Sequence, residues 1–148
     1  KDSMPEEVVD FIHGQSLSVL AIEMLDGSPH AATVHVAFNE FPPTFLFETY
    51  RPYRKCEALF GRESSRASLV IGFNENDRQT LQVDGEVKLL NTDEEMLVFN
   101  KVYFKKFPNK KEKSKDPKFV FFSMIPKWWR YTNWDAPGGK VVLSSEDK

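Results

Sequence analysis

The chain has 148 residues, a formal net charge of −2, 41% hydrophobic residues and 28% charged residues, the make-up of one ordinary globular domain able to bury roughly two-thirds of its unfolded surface. That charge balance excludes a general electrostatic pull toward nucleic acid or an anionic membrane, and no apolar run approaches the ~18 residues that a membrane span needs. The single cysteine, Cys56, excludes an intrachain disulfide framework, and His13, His30 and His35 lack the spacing of a metal site.

The start, KDSMPEEVVDF, lacks the basic-then-apolar pattern of a signal peptide, so a cytoplasmic location is expected. Ser3 to Gln15 reads as a helix with Ser3 as N-cap, Glu6 as capping-box partner and Gly14 as stop. Its Val8, Val9, Phe11 and Ile12 would seat it as a lid on a sheet. Leu17 to Leu25 alternates as a strand does, and Asp26-Gly27-Ser28-Pro29 is a turn that makes a hairpin. The return strand, Ala31 to Phe38, puts Ala32, Val34, Val36 and Phe38 on one face and Ala31, Thr33, His35 and Ala37 on the other. The first face suits a core, and the second is small and polar, as a surface receiving a flat ligand would be.

Pro42-Pro43 turns the chain into Phe45–Gly61, FLFETYRPYRKCEALFG. This stretch reads as a strand, a basic turn and a helix that begins at or just after Pro52 and stops at a left-handed Gly61. Arg51, Arg54 and Lys55 then oppose the helix dipole, which favours an anion at that end and makes the turn a candidate phosphate cradle. The plainer reading of the same turn is a solvated basic helix start. Ala67 to Phe73 is an apolar strand, and Thr80 to Leu90 alternates, with Gly85 suited to a bulge. Thr92 with Glu95 forms a second capping box, opening a helix whose Met96, Phe99, Tyr103 and Phe107 recur at helical spacing until Pro108.

Asn109 to Lys118, NKKEKSKDPK, reads as a mobile solvated loop, with a polyanion patch as the sharper alternative. Phe119 to Ile125 is a sixth strand, Lys127 to Trp134 a further one after Pro126, and Val141 to Leu143 a last extended piece before five frayed residues. The fold class expected is mainly β: a six- to seven-stranded antiparallel barrel with helical plugs, the alternative being an open α+β sandwich.

The order of these elements, the turn Tyr53-Arg54-Lys55, the segment TLQVDG at Thr80–Gly85 and the ending Ile125-Pro-Lys-Trp-Trp-Arg-Tyr-Thr carry a resemblance. The chain resembles the flavin-binding split barrels related to pyridoxamine 5′-phosphate oxidase, over roughly Pro5 to Thr132. The resemblance implies a homodimer with FMN in clefts between the subunits. It implies that the F-x-T strand end and the turn after it hold the phosphate: Thr49, Arg54 and Lys55 match, Glu48 fills the variable position, and Tyr53 replaces the usual serine. It also places Thr33, Val34 and His35 along the flavin ring and Gln79 or Thr80 at its polar edge. Trp128 and Trp129 are adjacent on a strand and face opposite ways, so one of them faces outward or across the dimer: it packs against the partner subunit or, with Arg130, borders the cleft, and Trp129 is the candidate for that border. The chain departs from the oxidase proper at Thr33 and Phe38, which stand where arginine and lysine serve the phosphorylated ligands, so a different small-molecule substrate is implied.

The function expected is therefore that of an FMN-dependent oxidoreductase, with no catalytic residue assignable and no Ser-His-Asp or Cys-His constellation required. The alternative is a non-catalytic module of the same fold that holds FMN, a deazaflavin or haem. An oligonucleotide-binding barrel would use the lysine loop and exposed rings, but the overall acidity argues against it. The 14% aromatic content, with 13 Phe, is the second motive for a dimer, because the rings of Phe119–Trp134 exceed what a small monomer covers.

Overall fold

In a computed structural model, residues 3–72 and 74–147 are described. The fold is mainly antiparallel β, with helices α1 (Glu6–His13), α2 (Cys56–Gly61) and α3 (Asp93–Lys106). The strands are β1 (Leu17–Glu23), β2 (Pro29–His35), β3 (Ala37–Asn39), β4 (Thr44–Tyr50), β5 (Ser65–Ile71), β6 (Gln79–Leu89), β7 (Phe119–Asn133) and β8 (Val141–Ser144). They form one sheet in the order β2-β1-β5-β6-β7-β4-β3, with β8 on the far half of β7. The two ends of that order, β2 and β3, are successive pieces of one segment, so the sheet curls until the chain itself joins its edges. This is a split barrel, and the open sandwich is excluded.

The split falls at Val36. Its N–H donates to Ser16 O at 3.0 Å and its carbonyl accepts from Lys106 Nζ at 2.9 Å, so neither backbone group depends on a ladder. Lys106 also reaches Gln15 O (2.5 Å) and Ile12 O (3.3 Å), binding the C-terminal turn of α1 to the end of α3. Burial pulls this ammonium down to about 8, and three carbonyl acceptors favour keeping its proton.

Inside the barrel, Leu20, Ile22, Leu69, Ile71, Leu81 and Val83 meet Phe45, Phe47, Phe122 and Met124, and α1 plugs one end with Val8, Phe11 and Ile12. A second cluster packs Phe99, Tyr103, Phe104 and Phe107 of α3 onto Ala37 and Leu46. Of the faces expected of the 31–38 strand, Val34, Val36 and Phe38 are core, but Ala32 is only partly buried, and Ala37, expected on the exposed face, is buried in the second cluster because the strand breaks at Val36 and restarts as β3 against α3. Most rings of Phe119–Trp134 are absorbed by these two clusters, and only Trp134, at 41%, is more than a third exposed. Trp128 and Trp129 do face opposite ways. Trp129 packs on the core, and Trp128 carries Arg130 over its ring at 5.4 Å.

Several boundaries differ from those expected. Pro126 does not end a strand: β7 runs through it, because the register with β6 shifts between Asp84 and Gly85 and a proline lacking an N–H sits without loss at that bulge. Pro5, not Ser3, precedes α1, and no side chain caps it. Helix α2 starts at Cys56 and spans six residues, so it carries little dipole for an anion. Gly61 lies inside α2 and is not left-handed; a Cβ there would press on the Leu25 side chain at 2.7 Å. The C-terminal residues 145–147 are not frayed, since Ser145 N donates to Trp129 O and Trp129 N to Ser145 Oγ. Phe73, expected to end a strand, lies outside the described residues.

The capping box of α3 is present on both sides. Glu95 N donates to Thr92 Oγ1 at 3.1 Å and Thr92 N to Glu95 Oε1 at 3.2 Å. Lys88 Nζ at 2.6 Å from Glu95, with the N–H groups of Asn91 and Thr92, holds the Glu95 carboxyl down at about 2. Its folded value lies below the ordinary 4.5, so the stability that it contributes is complete above 4.5 and is lost as pH falls through about 2. Urea melts of the parent and Glu95→Gln should therefore differ at pH 7 and converge across that window; a difference independent of pH would refute the assignment.

Candidate functional site

Strand β4 alternates, with Phe45, Phe47 and Thr49 turned inward and Glu48 turned to the outer face. The turn after β4 folds back so that Lys55, only 6% exposed, places Nζ 3.1 Å from Thr49 Oγ1. Among the described residues this ammonium has no carboxylate partner, and its burial lowers its pKa. A buried charge without a counter-charge is costly. The Thr49 hydroxyl accepts from Lys55 and so keeps its own hydrogen to donate.

Above this pair lies an open cleft of about 500 Å³, bounded by Thr33, Val34 and His35 of β2, Glu48, Thr49 and Tyr50 of β4, Tyr53, and residues of the 108–119 segment. Tyr53 stands at the rim, 57% exposed, its ring centroid 5.0 Å from Lys55 Nζ and 5.7 Å from the Tyr50 ring. His35 meets the edge of Phe107 at 5.2 Å. Burial, then Lys110 and Lys106, lower its pKa, so it is a neutral imidazole at pH 7. Glu48 is half-buried; burial raises its carboxyl, while the Ser114 hydroxyl and the charges of Lys110 and Lys113 oppose the rise.

Thr33, Val34, His35, Glu48, Thr49, Tyr53 and Lys55 are thus brought together at one cleft, and the other expected residues are not. Arg54 is exposed on the turn and does not line the cleft. Gln79 accepts the Tyr131 hydroxyl at 2.6 Å, and Thr80 donates to Ile71 O at 3.2 Å, both on β6. Trp129 borders a different hollow, with Met4, Pro42, Pro43, Ile125 and Leu143.

Lys110 and Lys113 line the cleft, although the composition of their segment is that of a mobile solvated loop. The segment instead folds as two 3₁₀ turns, Pro108–Lys110 and Lys113–Lys115. Ser114 is hydrogen-bonded to Glu48, and Lys113 Nζ lies 5.9 Å from the Phe119 ring. The usable signal was the serine at position 114 among the lysines. Among the described residues there is no group of three or more His, Cys, Asp or Glu that could hold a metal, and no helix is long and apolar enough to cross a membrane.

Comparisons with known proteins place this geometry. The family model described as pyridoxamine 5′-phosphate oxidase matches residues 4–133. Among solved structures, a protein of unknown function from Agrobacterium tumefaciens superposes with a TM-score of 0.70 at 16% identity, over 93% of this chain and 61% of that one. HutZ, the haem storage protein of Vibrio cholerae, gives 0.69 at 16% identity, covering 84% and 91%. A pyridoxamine 5′-phosphate oxidase-related, FMN-binding protein of Nostoc punctiforme gives 0.67 at 12% identity, covering 97% and 92%. At these identities the structural likeness is one of fold. No curated protein matches the chain.

Proposed function

Because the chain belongs to the pyridoxamine 5′-phosphate oxidase family, we propose that its cleft binds FMN and that the protein is an FMN-dependent oxidoreductase acting on a small molecule. The observation that carries this reading is Lys55: a buried ammonium facing the cleft, with a hydroxyl beside it and no carboxylate partner among the described residues. A phosphate there would gain a charge-assisted bond from Lys55 and a bond from Thr49, and would relieve the cost of the buried charge. The phosphate is thus held by Lys55 and Thr49, with Tyr53 at the rim, and Arg54 contributes only at longer range from solvent. Thr33, Val34 and His35 give the ring a small, flat, uncharged wall.

Bound FMN would supply hydride or electron transfer, and the chain supplies position and electrostatics. Gln79, Thr80 and Trp129 lie away from the cleft of their own subunit, so any contact that they make with the flavin comes from a partner. The same reading therefore makes the protein a homodimer whose clefts are completed across the interface. What supports the dimer is this incompleteness, together with exposed Val70, Ile125 and Val142 on the outside of the sheet, rather than the aromatic excess.

The test is the purified protein itself. It should be yellow or take up added FMN, sediment as a dimer at micromolar concentration, and bleach with a reduced nicotinamide. A coloured protein that no reductant bleaches would reduce the proposal to a cofactor binder, and a colourless one that rejects FMN would overturn it. Haem is the second reading that a specific observation favours, because HutZ shares this fold; uptake of haem in preference to FMN would establish it instead.

A further inference from the structure

Tyr53, at the rim of the phosphate end, is 57% exposed, yet it is held on every side that the chain offers. Both of its backbone groups are taken: its N–H donates to Tyr50 O at 2.9 Å, and its carbonyl accepts from Cys56 N at 3.0 Å. Its ring packs edge-on with Tyr50 at 5.7 Å, and Tyr50 packs edge-on with Phe119 at 5.3 Å. Lys55 Nζ lies over the Tyr53 ring, 5.0 Å from its centroid, an attraction that keeps the ring against the ammonium. The three rings form a rank, and all three line the cleft. An ammonium has three hydrogens to give. On Lys55 one side is turned to Thr49 Oγ1 at 3.1 Å and another is covered by the Tyr53 ring, which leaves one approach for an anion.

We propose that Tyr53 is a specificity-determining residue: its ring closes the cleft behind the phosphate, so that the site takes a flavin ending in a phosphomonoester and turns away one whose phosphate continues into a second phosphate and a nucleoside. The inference rests on the FMN reading above and narrows its ligand class. In that reading the flavin ring runs along Thr33, Val34 and His35 and the phosphate meets Lys55 and Thr49, so whatever follows the phosphate has to pass Tyr53. A terminal phosphate ends there and leaves the ring in place. A diphosphate-linked adenosine needs the space, and making it means drawing the ring away from both Lys55 and Tyr50. Charge does not separate the two ligands, because a phosphomonoester carries about −1.5 to −2 at pH 7 and a diphosphate bridge carries about as much. The discrimination comes from an obstruction to the wrong ligand rather than from a better bond to the right one.

Isothermal titration of the full chain with FMN and, separately, with FAD tests this in the parent, Tyr53→Ser and Tyr53→Phe. The parent should bind FMN roughly tenfold or more tighter than FAD, and Tyr53→Ser should bring the two affinities within about threefold of each other. Tyr53→Phe keeps the ring and should keep the parent's preference. Differences between the free flavins cancel when the FMN-to-FAD affinity ratio of each variant is divided by that of the parent. A parent that binds FAD as tightly as FMN, or more tightly, would overturn the inference. So would a Tyr53→Ser variant that keeps the parent's ratio, or a Tyr53→Phe variant that loses the preference as fully as Tyr53→Ser. Each of these outcomes strikes Tyr53 and leaves a flavin in the cleft, whereas a parent that binds neither flavin would overturn the flavin reading and this inference with it.

Discussion

Replacing Lys55 by methionine should weaken FMN binding roughly ten- to hundredfold, the worth of one charge-assisted hydrogen bond at about 1.5–3 kcal/mol, while leaving the ligand-free protein as stable as the parent or more so. The two effects have opposite signs for one reason. The ammonium is buried at 6% exposure beside the Thr49 hydroxyl and the Tyr53 ring, with no carboxylate partner among the described residues, so its charge opposes folding and favours an anion. Methionine fills the same volume without the charge, and such replacements are often neutral or stabilising. Burial sets the folded pKa of Lys55 below its ordinary 10.5. The parent's stability deficit relative to Lys55→Met should then be full below the folded value and fade as pH rises from there toward 10.5. Isothermal titration and thermal melts of both proteins check this; a variant that loses stability and affinity together would make Lys55 a structural residue only.

Gly85→Ala should destabilise the protein by about 3 kcal/mol, as a forced overpacking of this kind does, and lower the melting temperature by roughly 10 °C for a chain of this size. The glycine sits at the register shift opposite Pro126, and a Cβ there would be driven into the Ile125 carbonyl, with Pro126 Cα at 3.1 Å behind it. Both obstacles are backbone, so no side chain can swing away. The bulge bends β6 and β7 together and lets β7 cross from the core cluster under α1 to the pairing with β8. Gly27→Ala offers the contrast: its Cβ meets nothing within 4 Å, and its cost is confined to the positive φ of 87°. Chemical denaturation in which Gly85→Ala matches Gly27→Ala would remove the bulge from this account.

What was legible in the sequence was whatever depends on near neighbours. Alternation gave the core residues Val34, Val36 and Phe38 of the 31–38 strand and marked Thr80–Leu90 as a strand, and the Thr92–Glu95 spacing gave the start of α3, because both periods are set by local backbone geometry. The Thr49–Lys55 pair was legible for the same reason, since a turn of six residues brings it together. What was not legible depends on distant partners. Val36 breaks its strand because Lys106, 70 positions away, takes its carbonyl. Pro126 is tolerated because β6 shifts register opposite it. The lysine-rich segment looked like solvent-facing loop by composition, and its order comes from Ser114 meeting Glu48 across 66 positions. The expected start of α2 near Pro52 went astray because Pro and a basic run are equally at home in a turn.

The central claim is that the cleft recognises the phosphate of FMN through Lys55 and Thr49, and the parent protein can test it without any substitution. Equilibrium titration of the ligand-free protein with FMN and, separately, with riboflavin measures what the phosphate contributes, since the two ligands differ in that group alone. The account predicts that FMN binds roughly ten- to hundredfold more tightly than riboflavin, the margin one to two charge-assisted hydrogen bonds supply. Equal affinity for the two flavins, or no binding of either, would contradict it.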